Sequence, residues 1–578
     1  MTKRVKILGT PGCGKTTELK RRYAELLDKG YNVSDITVMT FRKSAAEDIQ
    51  KAIAENLYLI ESDELESRVG TIHSVCYRLI GTPDLLEPKD YASFANEFKY
   101  TPYLKVKDRS ARISSEDIEQ AAQSGDLFDL YAWCRNTMTP SEKWYRYPGS
   151  NNIILPKEKI NQFFADFDAF KKRIERIDFT DMLQQVIDNK IMLKTKVLMV
   201  DEFQDLTPQM NHIFKIWSTQ AEQVLIAGDP FQSIYGVFGG TPDFFNEWEA
   251  NEIVILPRSH RLPLQIKDFS HKILRMQGMT APDVAAKIGL GNCITRIRYS
   301  DYYPVHDAEL HLVRANYQLD GVTMRLAKDG KLFTTLKDRH GGWTRAEAEL
   351  TNAIISLRTG LQLTMVQIRA IVEFFPEKML NLPCSKDKFQ KQNFFAELSL
   401  NGEVIIIESD SWKPDKMVIQ EVLAWTPTDE IIDILQSDDP TFKMTKTSKV
   451  FKAKINGVKD RKERIKFSEA ESRRVMTIHG SKGLEAYGVF LHTAITPKIQ
   501  KAIVIPGKES KAEARVWYVG VTRAKTHLYL VQDAGANYPY FPTIPSAPVE
   551  EDLSKIWEDD ADELEHPECK DFNSNSPN

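Results

Sequence analysis

The stretch VKILGTPGCGKTTELKRR, residues 5–22, constrains the fold more than any other part of the chain. A short apolar run of strand character meets a glycine-rich loop, and residues with helical spacing follow. The loop fits G-x-x-x-x-G-K-[ST] through Gly9, Gly14, Lys15 and Thr16, with Thr10, Pro11, Gly12 and Cys13 between and Thr17 after. Glycines let successive backbone N–H groups converge on phosphate oxygens without a Cβ in the way, and the helix dipole adds to that anion site. Lys15 would reach the outer phosphates of a nucleoside triphosphate, and the Thr16 hydroxyl a bound Mg²⁺.

A cradle of this kind needs a second strand ending in an acid for the metal. VLMVDEFQDL, residues 197–206, supplies it: an apolar run of buried-strand type ends in Asp201 and Glu202, with Gln204 and Asp205 beyond. Asp201 is assigned to the metal and Glu202 to polarising the attacking water, while Gln204 and Asp205 stay open. VLIAGDPFQSIYG (224–236) brings Gln232 to another strand end, where an uncharged amide suits a sensor of hydrolysis. IVILPRSHRLP (253–263) places Arg258 and Arg261 after a strand, and ARVWYVGVTRAKTHLYLV (514–531) places Arg523 before one. Guanidinium groups aimed at a transferring phosphoryl group contribute roughly 10³–10⁵ in rate. Taken singly, each of these arginines reads as a surface charge.

At 578 residues the chain is too long for one core. Its 42% hydrophobic and 27% charged content is that of a soluble globular protein, with no apolar run of membrane-spanning length and no signal-peptide pattern. The expected location is the cytosol of a bacterium, or of a host cell if a phage encodes the chain. Six scattered cysteines argue against a zinc site or a disulfide framework. The net charge of −4 hides an asymmetry: Val549–Asn578 carries eleven acids against two lysines, leaving +5 for residues 1–548. A mildly basic body with an acidic tail is compatible with nucleic-acid binding.

Together the order and spacing of these segments resemble the superfamily 1 helicases of the UvrD/Rep/PcrA type. Further segments carry the likeness: VMTFRKSAAEDI (38–49), VGTIHSVCYRLI (69–80), HLVRAN (311–316), VMTIHGSKGLEAYGVFL (475–491) and WYVGVTRAK (517–525). The lysine in HGSKGLE points to the UvrD-like rather than the RecD/Pif-like branch. The resemblance implies an α/β fold with two RecA-like P-loop NTPase domains, parallel sheets flanked by helices, each with an inserted, helix-rich subdomain. It puts the first motor domain at 1–82 and 179–250 around an insertion at 83–178. The second lies at 251–345 and 470–548 around an insertion at 346–469, with an acidic, disordered tail at 549–578.

The resemblance also implies ATP and Mg²⁺ as cofactors, single-stranded DNA and single-strand/duplex junctions as partners, no membrane, and 3′→5′ movement. Carried onto this chain, the ATP residues are Lys15, Thr16, Asp201, Glu202, Gln232, Arg261, Glu485 at the ribose, and Arg523. The two arginines complete the site when the cleft closes. The DNA residues are Thr40, Phe41, His73, Ser74, Tyr235, Thr477 and His479, with Phe41 and Tyr235 offering faces on which bases of any sequence stack. From spacing alone, Phe41 also reads as core.

Three departures from the family converge on the adenine pocket. Thr17 stands where an arginine is usual, His260 replaces a stacking tyrosine, and four residues ahead of the first strand leave no room for a glutamine-bearing segment. Relaxed base selectivity is the expectation. In YGVFGG (235–240) Val237 and Phe238 replace an aromatic–arginine pair, so either Phe238 takes over stacking or one base step is gripped less tightly. The run 449–467, with eight cations against two acids, reads either as a duplex-phosphate contact or as one solvated helix face. The tail reads as a disordered solubiliser by default, with a mask over the DNA track or a dock for a basic partner such as a replication or repair protein as the alternatives. A nucleotide-switched clamp that does not unwind, and an RNA-directed motor, are the competing functional readings.

Overall fold

The computed structural model describes residues 2–41, 43–56, 62–100, 126–153, 155–287, 293–302, 306–336, 341–391, 424–445, 447–532, 541 and 544. The acidic stretch 549–578 lies outside them.

The apolar runs of the N-terminal part become β1 (Lys3–Leu8), β2 (Ile36–Thr40), β3 (Val69–Thr71), β4 (Val197–Val200), β5 (Gln223–Gly228) and β6 (Glu252–Ile255). They form one sheet in the order β3-β2-β4-β5-β1-β6, every pair parallel. β2 and β4 are buried along their whole length, as a parallel sheet covered on both faces requires. Ile7, Leu19, Tyr23 and Val38 pack one face; Val200, Phe203, Phe214 and Trp217 pack the other.

After β7 (Arg258–Pro263), which pairs with β8 (Ala285–Lys287), a second sheet begins. It contains β9 (Ile294–Arg298), β10 (Glu309–Val313), β11 (Thr334–Thr335), β12 (Arg473–Thr477), β13 (Ala486–His492) and β14 (Ala524–Gln532). Their order is β11-β12-β10-β13-β14-β9, again parallel throughout. The fold is α/β, with two RecA-like parallel sheets flanked by helices.

One local expectation needs correction. The resemblance opens the second motor domain at residue 251, but β6 hydrogen-bonds to β1 and closes the edge of the first sheet. Its alternating exposure is that of an edge strand with one open face. Arg258 and Arg261 follow β6, as the spacing predicts, and lie within β7.

Between residues 83 and 178 the described elements are helical, chiefly Pro88–Glu97, Leu127–Asn136 and Lys157–Arg173. They enclose their own core of Phe94, Phe128, Phe163, Phe167 and Phe170. Between 346 and 469 the described elements are helical too, but their core runs without a break into Val313 of β10 and Val475 of β12. Among the described residues, no helix is long and apolar enough to cross a membrane.

Candidate active site

β1 ends at Leu8, and the loop that follows closes onto the helix Lys15–Asp28 through Gly14, whose φ of 78° is left-handed. Lys15 Nζ donates to the Gly9 carbonyl at 2.9 Å, folding back over the loop. Thr16 Oγ1 donates to Asp201 Oδ2 at 2.7 Å, so the hydroxyl and the carboxylate at the end of β4 meet as a pair of hard oxygen donors. Burial, and then the charge of Glu202, push the Asp201 carboxyl up to about 6, against the Thr16 hydrogen bond and Lys15. Glu202 itself has φ 53°, a left-handed backbone that costs a non-glycine residue about 1–3 kcal/mol and recurs at functional sites. Its backbone N–H donates to Asp201 Oδ1 at 2.9 Å.

The second lobe packs directly on this loop. Ser259 Oγ donates to the Pro11 carbonyl at 2.7 Å and the His260 N–H to the Gly12 carbonyl at 3.0 Å. Gly12 has φ +79°, and a Cβ there would stand 2.3 Å from Arg261 Cβ, so only glycine fits beneath β7. Arg261 therefore lies against the phosphate loop. Its guanidinium pairs with Glu485, which also pairs with Lys525 at 3.0 Å. Burial pushes the Glu485 carboxyl up, but Arg261 and Lys525 outweigh it and hold it below the usual range. Arg261 and Glu485, both carried over from the resemblance as ATP residues, thus pair with each other.

A second bridge centres on Gln232. Its side-chain amide donates to Asp229 at 2.9 Å, and its side-chain Oε1, distinct from the backbone carbonyl, accepts from Arg523 at 3.0 Å. Arg523 is fully buried and further held by the Val519 carbonyl at 3.0 Å. Lys482 ion-pairs with Asp205 and donates to the Gln232 carbonyl at 2.7 Å. Gln204 joins these groups to the strand ends, since its amide donates to Glu202 and its side-chain oxygen accepts from the Asp229 N–H at 3.0 Å. Asp229, raised by burial, also accepts from the Tyr518 hydroxyl at 3.4 Å. Asp229, Ser259, Lys482 and Tyr518 were not foreseen as site residues. All four stand in quoted segments, so the missing information was spatial.

Among the candidate nucleic-acid residues, Phe41 and Tyr235 stack on each other, with centroids 5.2 Å apart and planes 17° from parallel. Tyr235 is buried, and Lys482 Nζ sits 4.7 Å from its ring centre. Phe238 is half-buried against the second lobe's core. Thr40, Thr477 and His479 are buried, and Thr477 Oγ1 accepts from the Gly480 N–H at 3.1 Å. Ser74 Oγ donates to the Thr71 carbonyl at 2.8 Å. His73 meets Phe179 edge-on at 5.7 Å, and burial pushes its imidazole down to about 4. Thr17 and His260 are exposed.

A glycine-rich loop after β1, an acid pair after β4 and arginines reaching over from β7 and from the turn ahead of β14 define a P-loop nucleoside triphosphatase with two RecA-like lobes. The family description "UvrD/REP helicase N-terminal domain" matches residues 1–252, and "UvrD-like helicase C-terminal domain" matches 425–534. The chain is 23% identical to the probable DNA helicase II homolog of Mycoplasma pneumoniae, over 90% of this chain and 80% of that protein. It is 22% identical to the ATP-dependent DNA helicase Rep of Buchnera aphidicola, over 90% of each. Similarity to the ATP-dependent DNA helicase srs2 of Schizosaccharomyces pombe is 26%, over 47% of this chain and 33% of that protein. The chain belongs to the UvrD/Rep-type DNA helicases of superfamily 1, enzymes that hydrolyse ATP.

Proposed function

We propose that the protein moves 3′→5′ along single-stranded DNA and separates the duplex ahead, each step driven by ATP hydrolysis in the cleft between its sheets. The observation that carries this reading is the Arg523–Gln232 hydrogen bond, which ties a second-lobe guanidinium to a first-lobe strand end. A γ-phosphate held by the loop would lie between groups from both lobes, so its loss changes what holds them together. In this reading Lys15 and the loop N–H groups hold the phosphates, Glu202 orients and polarises water, and Arg261 and Arg523 stabilise the transferring group.

Mg²⁺ fits the donor set. Thr16 Oγ1 and the Asp201 carboxylate are hard oxygen ligands 2.7 Å apart, beside an acid pair whose repulsion a cation would relieve. When bound, the ion would supply charge neutralisation for the triphosphate. For DNA, separation of Phe41 from Tyr235 would open two ring faces to bases, at about 1–3 kcal/mol per stacked base. Exposure of Thr17 and His260 supports the reading that the base is selected weakly. ATP and GTP should therefore be hydrolysed within a hundredfold of each other.

The decisive experiment is strand displacement from partial duplexes carrying a 3′ or a 5′ single-stranded overhang, with Glu202→Gln as control. Displacement from the 3′ substrate alone is expected. DNA-stimulated ATP hydrolysis with no displacement from either would replace the motor with a nucleotide-switched clamp, and preference for RNA would redirect it to RNA.

A further inference from the structure

The elbow between the helices Pro497–Val504 and Lys508–Val521 presents an unusual surface. Val504 and Ile505 are 71% and 67% exposed, the highest values among the exposed large hydrophobic residues described. Around them stand Lys498, Lys501, Lys508 and Lys511, all exposed and none ion-paired among the described residues. The lysines fall at i, i+3 on each helix, so each pair shares one face. Ile499 and Ile503, on the inner side of the first helix, pack into the second lobe's core, which leaves the apolar tip outward. Exposed Glu509 stands among these lysines, but the cations outnumber it four to one, and an apolar tip in such a surround fits a partner that is acidic and carries apolar anchors.

The chain contains such a segment. EEDLSKIWEDDADELE, residues 550–565, sets Leu553, Ile556 and Trp557 at i, i+3, i+4 among nine acids and one lysine. Its attachment point is close. Phe541 rests on Trp517 at 5.2 Å and on Phe269 at 5.9 Å, and Ile544 packs on the same core. Trp517 and Lys508 share one helix, about 13 Å apart along its axis. The eight residues between Ile544 and Leu553 span up to about 26 Å. We propose that residues 550–565 dock on the Val504–Ile505 elbow of their own chain, with Leu553, Ile556 and Trp557 against the apolar tip and the acids against the four lysines. Tethering keeps the segment at a high effective concentration, so a modest intrinsic affinity is enough to hold it.

The test places a photo-cross-linking benzoylphenylalanine at Val504 in the full-length protein and maps the products by mass spectrometry. The expected product is an intramolecular cross-link into 550–565. Its yield should fall about tenfold in K498E/K501E/K508E/K511E and drop at high salt, where exposed charges are screened. A second variant, L553S/I556S/W557S, leaves the folded body untouched and should also lose the product. Cross-links between chains, cross-links elsewhere in the chain, absence of any tail product, or a yield indifferent to both variants would each overturn the proposal.

Discussion

The two lobes that face each other across the cleft are built on the same plan and carry opposite chemistry. The first presents a loop of backbone N–H groups and, close by, the carboxylates of Asp201, Glu202, Asp205 and Asp229. The second presents Arg261, Lys482 and Arg523. A buried charge is costly unless paired, and in the cleft part of that cost is met across the boundary. Lys482 pairs with Asp205, and Arg523 reaches Gln232. On the proposed function, the first lobe holds the nucleotide and the second responds to how well the first is filled. Division of labour follows: first-lobe loop changes should weaken nucleotide binding, and second-lobe changes should slow turnover with binding kept.

The sharpest way to break this contrast is Arg523→Ala. Turnover is expected to fall roughly 10³–10⁵-fold with the ATP Kd little changed, measured by single-turnover hydrolysis and by titration of a fluorescent ATP analogue. An equal loss of binding would mean that the lobes do not divide the work. Glu202→Gln should cost about 10²–10⁴ in kcat, again with binding intact, because it removes water activation from within the first lobe. Lys15→Ala should do what neither of these does and raise the ATP Kd about tenfold to a hundredfold, the worth of a charged hydrogen bond.

The interlobe pair is tested by a thermal-denaturation cycle of Lys482→Met, Asp205→Asn and the double variant. A coupling of about 1–3 kcal/mol is expected, and additive effects would show that the pair does not join the lobes. The smallest effect concerns the second lobe alone. Burial, with Lys267 and Arg275 adding to it, holds His271 down at about 4. Its folded pKa lies below the unfolded value, so the unfolded chain takes up more protons as pH falls below about 6.5. Acidifying from pH 7 to 5.5 should therefore cost about 1 kcal/mol that His271→Met does not lose, read as a shift in urea midpoint.

Local pattern made the strand ends legible. VKIL, VLMV and VLIAG are apolar runs long enough for one buried strand, and each is followed by residues that cannot be buried without partners. The glycine spacing of the loop identified its ligand class for the same reason, since few structures demand it. What depended on distant pairing was not legible. β6 reads as the first strand of a new unit until β1 is known to lie beside it. The mutual pairing of Arg261 with Glu485 joins residues more than two hundred positions apart, and neither one's neighbours announce it. Gln204 and Asp205 stood in plain view, but their roles depend on Asp229 and Lys482. The insertions gave least away: one closes its own aromatic core and the other borrows the second sheet's, a distinction that composition does not record.

The strand order has a consequence for birth as well as for work. All six strands of the first sheet come from residues 3–255, so that lobe has every hydrogen-bonding neighbour once less than half the chain has been synthesised. β10, central to the second sheet, must wait for β12 and β13, roughly 160 residues later. At translation rates of about 5–20 residues per second that is a delay of roughly 8–32 s. During it, a strand that ends up buried along its whole length has emerged from the ribosome without its partners. The half of the machine that holds nucleotide can be finished while the half that answers it is still an unpaired edge, which makes the second lobe the place where nascent chains are most exposed to misassembly.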